Sequence, residues 1–165
     1  MTNSSWFYSS LDLPDGLFQL FYSESGLTAL HFPGEKKIFH TPALARALPE
    51  DSRIVLLLKR YFEGEKTDFG ELSLDWSGYG EFCRKVWQAA REIPWGTTLS
   101  YGEVAALIGK PQASRAVGRA LGMNPLPVIV PCHRVVGKTG DLTGFALGLP
   151  WKIKLLQLEG IKCIK

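Results

Sequence analysis

Three glycines between Thr67 and Gly80 mark the point where the chain changes character. Upstream, Leu17 to Phe32 reads as a hairpin: two apolar-aromatic runs flank the turn Ser23-Glu24-Ser25-Gly26. From Asp51, residues Ile54, Leu57, Leu58 and Tyr61 recur at helical spacing, and Gly64 ends the run. Downstream of Gly80 the periodicity is helical almost throughout. A glycine-rich stretch between segments of different period reads as a connector. The expected architecture is an α/β N-terminal domain over 1–79, a small antiparallel sheet plus a helix. A mostly α C-terminal domain follows over 80–165 and contains a helix-turn-helix.

The 165 residues suffice for one large domain or for two small ones sharing an interface. No apolar run reaches the roughly 20 residues that cross a bilayer, so no membrane association is expected. The polar and aromatic start shows no basic segment followed by an apolar one. A cytoplasmic protein is expected, or a nuclear one in a eukaryotic source. Cys83, Cys132 and Cys163 are odd in number and far apart, which argues against a disulfide scaffold. Burial is the expectation for Cys83 and an ordinary tail thiol for Cys163. His31 and His40 lack partners at metal spacing, so both are expected to be structural or surface residues and no metal is expected.

Charge divides at the same boundary. Residues before Gly80 hold 7 Lys/Arg against 11 Asp/Glu, a net of −4; the rest hold 12 against 5, a net of +7. A basic half is suited to a polyanion, although charge alone does not name it.

Within that half, Phe82, Val86, Trp87, Ala90 and Ile93 form one apolar stripe, stopped by Pro94 and Gly96. Ser100 with Glu103 is a capping box, and Val104, Ala105 and Ile108 supply a buried face before Gly109. A turn over Lys110 to Ala113 leads into a second short helix through Ser114 and Arg115 to about Gly122. That pair reads as a helix-turn-helix. Its second helix carries Ala116, Gly118, Ala120 and Gly122, with Arg115 as a long side chain reaching inward. Gly118 costs about 1 kcal/mol relative to Ala. Close helix packing and close approach to a nucleic-acid backbone both account for such bareness.

Chemistry concentrates in Asn124-Pro125-Leu126-Pro127-Val128-Ile129-Val130-Pro131-Cys132-His133-Arg134. An apolar run bracketed by prolines suggests a buried segment outside any sheet ladder. His133 and Arg134 beside Cys132 form an environment that could favour thiolate. Adjacent residues of an extended chain face opposite ways, so a water is the plausible proton path from Cys132 to His133. A last helix starts at Pro150 and ends at Gly160. Glu159 at its C-terminal end is either an exposed carboxylate or one that orients a histidine.

Pro131-Cys132-His133-Arg134-Val135 resembles the signature of the O6-alkylguanine-DNA alkyltransferases. The likeness extends through Val86-Trp87, Ser100-Tyr101-Gly102-Glu103-Val104-Ala105, Arg115-Ala116-Val117-Gly118, Asn124-Pro125, Gly144-Phe145 and Leu158-Glu159-Gly160. This resemblance implies single-turnover repair: an alkyl group moves irreversibly from O6-alkylguanine, and from O4-alkylthymine, in flipped-out duplex DNA to Cys132. His133 would act as base through water, Glu159 would orient it, Asn124 would brace the turn, and Tyr101 would help protonate the departing guanine. Arg115 would fill the gap in the base stack. Tyr101, Gly102, Ala116, Gly118, Lys110 and Lys138 would meet DNA through its minor groove. The carbonyls of Cys132 and Val135 would read the exocyclic amine, and the Phe145, Ala146 and Leu147 loop would meet the guanine oxygen. No cofactor is implied; a monomer is, with cooperative loading on DNA left open.

In two places the chain departs from that pattern. Phe145 stands where tyrosine is common and Leu147 where glycine is common, which predicts weaker reaction with bulky adducts such as O6-benzylguanine. Three other readings compete: a lesion sensor, against which Cys132 itself argues, a cysteine hydrolase, and a transcriptional regulator without chemistry.

Overall fold

The computed structural model describes residues 7–35, 46–47 and 52–162; His40 and Cys163 lie outside them. It divides into two compact units, Met1–Gly78 and Tyr79–Lys165.

The first unit is built on strands β1 (Phe7–Leu13), β2 (Gly16–Ser23), β3 (Gly26–His31) and β4 (Arg46–Ala47), in the order β3-β2-β1-β4. The expected hairpin is β2 and β3, which pair antiparallel with a register irregularity at Phe21/Tyr22. Two features exceed the sequence reading. β1 pairs antiparallel with β2 along its whole length, and β4 lies parallel to β1 at the edge, so the sheet is not purely antiparallel. Helix α1 (Arg53–Phe62) buries Ile54, Val55, Leu58 and Tyr61. Its core is largely aromatic. Phe18 packs edge-on against Phe32 at 4.9 Å, a favoured geometry for ring quadrupoles, and tilted against Phe62 at 4.8 Å.

The second unit opens with α2 (Glu81–Arg91), which buries Val86, Trp87 and Ala90 on one face. Strand β5 (Leu99–Ser100) leads straight into α3 (Tyr101–Leu107). At that junction the backbone N–H of Ser100 donates to Glu103 at 2.6 Å, and the N–H of Glu103 donates to the Ser100 hydroxyl at 3.2 Å. This reciprocal cap satisfies two of the helix's otherwise unpaired donors. Gly109, at φ +71°, turns the chain toward α4 (Ser114–Gly122). The left-handed conformation there favours glycine. The Trp87 indole ties α4 to α2 by donating to the Ala120 carbonyl at 2.8 Å.

After α4 the buried run Leu126 to Pro131 leads to a 3-10 turn (Cys132–Arg134), strand β6 (Val135–Val136), which pairs parallel with β5, and α5 (Leu149–Leu158). Among the described residues, no helix is long and apolar enough to cross a membrane.

Candidate active site

The segment preceding Cys132 is held by one side chain. Asn124, 8% exposed, donates through Nδ2 to the Val130 carbonyl at 3.0 Å, and its Oδ1 accepts from the Leu126 N–H at 3.0 Å. The same Nδ2 lies 3.2 Å from Cys132 Sγ. Inside this loop Val128 adopts φ +73° and is 1% exposed. A β-branched residue in the left-handed region is strained, and the packing around it must hold it there.

Cys132 is not in extended chain, as the sequence reading assumed, but starts the 3-10 turn, with the Arg134 N–H donating to Pro131 at 3.0 Å. The sulfur is buried, and burial pushes the thiol up to about 11. Hydrogen bonding by Asn124, the Lys152 charge and the N–H groups of Cys132 and His133 act in the opposite direction and do not prevail. The flanking His and Arg suggested a thiolate; desolvation makes the resting group a thiol instead.

Behind the sulfur lies a buried polar cluster. His133 is fully buried, and its Nε2 lies 2.7 Å from Glu159 Oε1. A carboxylate only accepts, so Nε2 carries the proton and Nδ1 the lone pair. Burial lowers the His133 basicity, against the opposing pull of Glu159. Arg134 donates from Nε to Glu159 Oε2 at 2.8 Å, from Nη2 to Oε1 at 3.0 Å, and from Nη1 to the Ile93 carbonyl at 2.5 Å. Burial would raise the Glu159 carboxyl, but hydrogen bonds from His133 and Arg134 outweigh it and hold it near 2. Glu159 is therefore a buried carboxylate bonded to His133 and Arg134, not an exposed helix-end residue.

In front of the sulfur is a cavity of about 450 Å³ lined by Tyr101, Ser114, Arg115, Gly118, Leu121, Gly122, Cys132, Thr143, Gly144, Phe145 and Ala146, a size suited to a small molecule or a single base. Thr143 donates to the Tyr101 hydroxyl at 3.3 Å. A second concavity shares Tyr101 and Ser114 and adds Gly102 and Lys138.

Not every expected residue meets these cavities. Leu147 lines neither, so its bulk does not form the pocket wall. Val135 is fully buried in β6, and its carbonyl accepts from Lys152 Nζ at 2.8 Å. Any use of that oxygen to read an amine is therefore shared with the lysine. Arg115 is exposed at the cavity, because α4 turns Val117, Ala120 and Leu121 to the core. Ala116 is half-buried, and Lys110 lines neither concavity; its Nζ stands 5.9 Å from the Phe82 ring centroid.

Lys152 was missed from sequence. It is fully buried, donates to Val135 and Thr143, and burial brings its ammonium down to about 8, against the pull of Cys132. A signal existed: Lys152, Leu155 and Glu159 follow i, i+3, i+7 spacing and share one helical face. Among the described residues no group of three or more His, Cys, Asp or Glu gathers as a metal site.

Comparison with known proteins covers both units. Residues 6–76 match the family described as 6-O-methylguanine DNA methyltransferase, ribonuclease-like domain, and residues 81–161 match its DNA binding domain. A methylated-DNA–protein-cysteine methyltransferase of Methanosarcina acetivorans is 44% identical, over 93% of this chain and 98% of that one. A Mycobacterium leprae protein of the same name is also 44% identical, over 91% and 90%. A crystal structure of Mycobacterium tuberculosis OGT in complex with DNA superposes with a TM-score of 0.81 at 42% identity, over 93% of this chain and 92% of that one.

Proposed function

The chain belongs to the 6-O-methylguanine DNA methyltransferase family, which repairs methylated DNA by moving the alkyl group onto a cysteine of the protein, and we propose that Cys132 is the acceptor here. The observation that carries this is the placement of the Cys132 sulfur. It forms part of a base-sized cavity, with Asn124 on the sulfur and the His133–Glu159 pair behind it.

The substrate is a guanine alkylated at O6, with O4-alkylthymine as a second substrate, rotated out of the duplex because chemistry inside the stack is sterically closed. DNA is met through the minor groove by a monomer. The basic charge of the second half and the bare face of α4 support this; Arg115, exposed and lining the cavity, would occupy the vacated stack. In the reaction Sγ forms a bond to the alkyl carbon as the carbon–O6 bond breaks, its electron pair passing into the guanine ring. The thiol proton leaves through water to His133 Nδ1, Glu159 stabilises the imidazolium, and Tyr101 gives a proton to the ring; the imidazolium then returns its proton through solvent to Tyr101, restoring both groups. The balance is thiol plus O6-alkylguanine to thioether plus guanine. Since water does not reopen a thioether, each molecule acts once.

The test is intact mass after incubation with duplex DNA carrying O6-methylguanine. Wild type and Cys83→Ser are expected to gain one methyl and Cys132→Ser none. An unchanged wild-type mass refutes the proposal.

A further inference from the structure

Arg134 is a long cation that is only 6% exposed and lies next to the proposed base, not on the surface. All three of its hydrogen bonds point inward: two to separate oxygens of Glu159 and one to the Ile93 carbonyl, the residue that follows α2 by two positions. Glu159 thus serves two partners. Its Oε1 receives both His133 and Arg134, and its Oε2 receives Arg134.

That division has an electrostatic consequence. A buried carboxylate facing only an imidazole would draw a proton onto it, because two opposite charges in a poorly solvated site favour each other. An imidazole already protonated accepts nothing from a thiol. With a guanidinium bound to both oxygens, the carboxylate is compensated before the histidine is considered. We propose that Arg134 is a positioning residue for the transfer reaction: it fixes Glu159 by bidentate hydrogen bonding and balances its charge, so that His133 remains uncharged at neutral pH.

The groups acting on His133 agree with this. They are Glu159 at the end of α5, Lys152 inside α5, and Arg134 on its own turn. Burial and both cations oppose protonation, and only Glu159 favours it. A fork is required in this place. A lysine would keep the charge but could not bridge both oxygens and the Ile93 carbonyl from one planar group. The use made of the uncharged imidazole rests on the reading of His133 as base.

The experiment titrates the His133 imidazole by NMR in the full chain, for wild type, Arg134→Lys and Arg134→Gln. Single-turnover methyl transfer is measured over the same pH range. Wild type is expected to stay neutral throughout the physiological range. Arg134→Gln is expected to move the His133 midpoint upward and to slow transfer roughly tenfold near pH 6, with most of the rate restored on the alkaline side. Arg134→Lys should fall between the two. Adding Glu159→Gln to Arg134→Gln should return the midpoint toward wild type, a rescue that a purely structural role does not predict. A His133 midpoint unchanged in folded Arg134→Gln overturns the proposal. If that variant does not fold, an unchanged midpoint in Arg134→Lys overturns it. A midpoint that rises while the rate profile does not follow supports the charge balance and refutes His133 as the base.

Discussion

Lys152 sets its ammonium 2.8 Å from the Val135 carbonyl, inside the unit that also buries the Cys132 thiol. Each group perturbs the other: the Lys152 charge favours thiolate, and Cys132 favours the ammonium. Their effects on stability have opposite signs. Lys152 is lowered to about 8 from 10.5, so the unfolded chain binds more protons in that window and stability rises with pH there. Cys132 is raised to about 11 from 9.0, so its contribution is complete below 9 and is lost as pH rises toward 11. The two slopes oppose each other above pH 9. Chemical denaturation across this range should show little net change for wild type, a rise for Cys132→Ala and a fall for Lys152→Met. If both variants track wild type, the two opposing slopes are absent.

Glu159 predicts the acid limb. Its carboxyl is held near 2 against an ordinary 4.5, so its stabilisation is present above 4.5 and disappears as pH falls toward 2. Wild type should lose stability steeply in that interval. Glu159→Gln should be weaker at neutral pH by about 3 kcal/mol, since the buried Arg134 is left uncompensated, and should show a flatter acid limb. Urea midpoints at neutral and acid pH measure the difference, and equal slopes refute it.

Gly118 separates the two accounts of the bare helix. A Cβ there would sit 3.6 Å from the Tyr101 ring, an ordinary contact, so internal packing does not demand glycine. Gly118→Ala should therefore fold and gain up to about 1 kcal/mol from helix propensity. If the face meets DNA, the same variant binds duplex more weakly; unchanged affinity in a titration refutes close approach of the duplex at this position.

The cavity wall relocates the expected selectivity against large adducts. Because Leu147 does not line the cavity, Leu147→Gly should leave reaction with O6-benzylguanine unchanged. Ala146 does line it, and Ala146→Leu should suppress benzyl transfer by at least tenfold relative to methyl transfer. Paired inactivation rates with the two adducts decide this, and a benzyl gain in Leu147→Gly reverses the assignment.

What could be read without coordinates was local. The capping box at Ser100, the β2–β3 hairpin and the helix-turn-helix each rest on residues a few positions apart. β1 escaped notice because its alternation is quiet: Ser9 and Leu11 face the core, and a small serine in an inward place hardly registers as hydrophobic. The thiol's protonation was misjudged because adjacent charges are visible in a sequence whereas burial, a sum over distant segments, is not. Lys152 was overlooked for the converse reason: a lysine suggests a surface until two carbonyls are seen to claim its ammonium. The shared carboxylate of Glu159 joins residues 25 and 26 positions apart, beyond any periodicity.

Val128 gives the acceptor loop an unusual mechanical quality. Its backbone is held at φ +73°, at a cost of about 1–3 kcal/mol, by the closure that Asn124 makes across the loop and by burial on its own account. Asn124, which closes the loop, also contacts the Cys132 sulfur, so a change that frees the strained backbone there removes a contact from the sulfur as well.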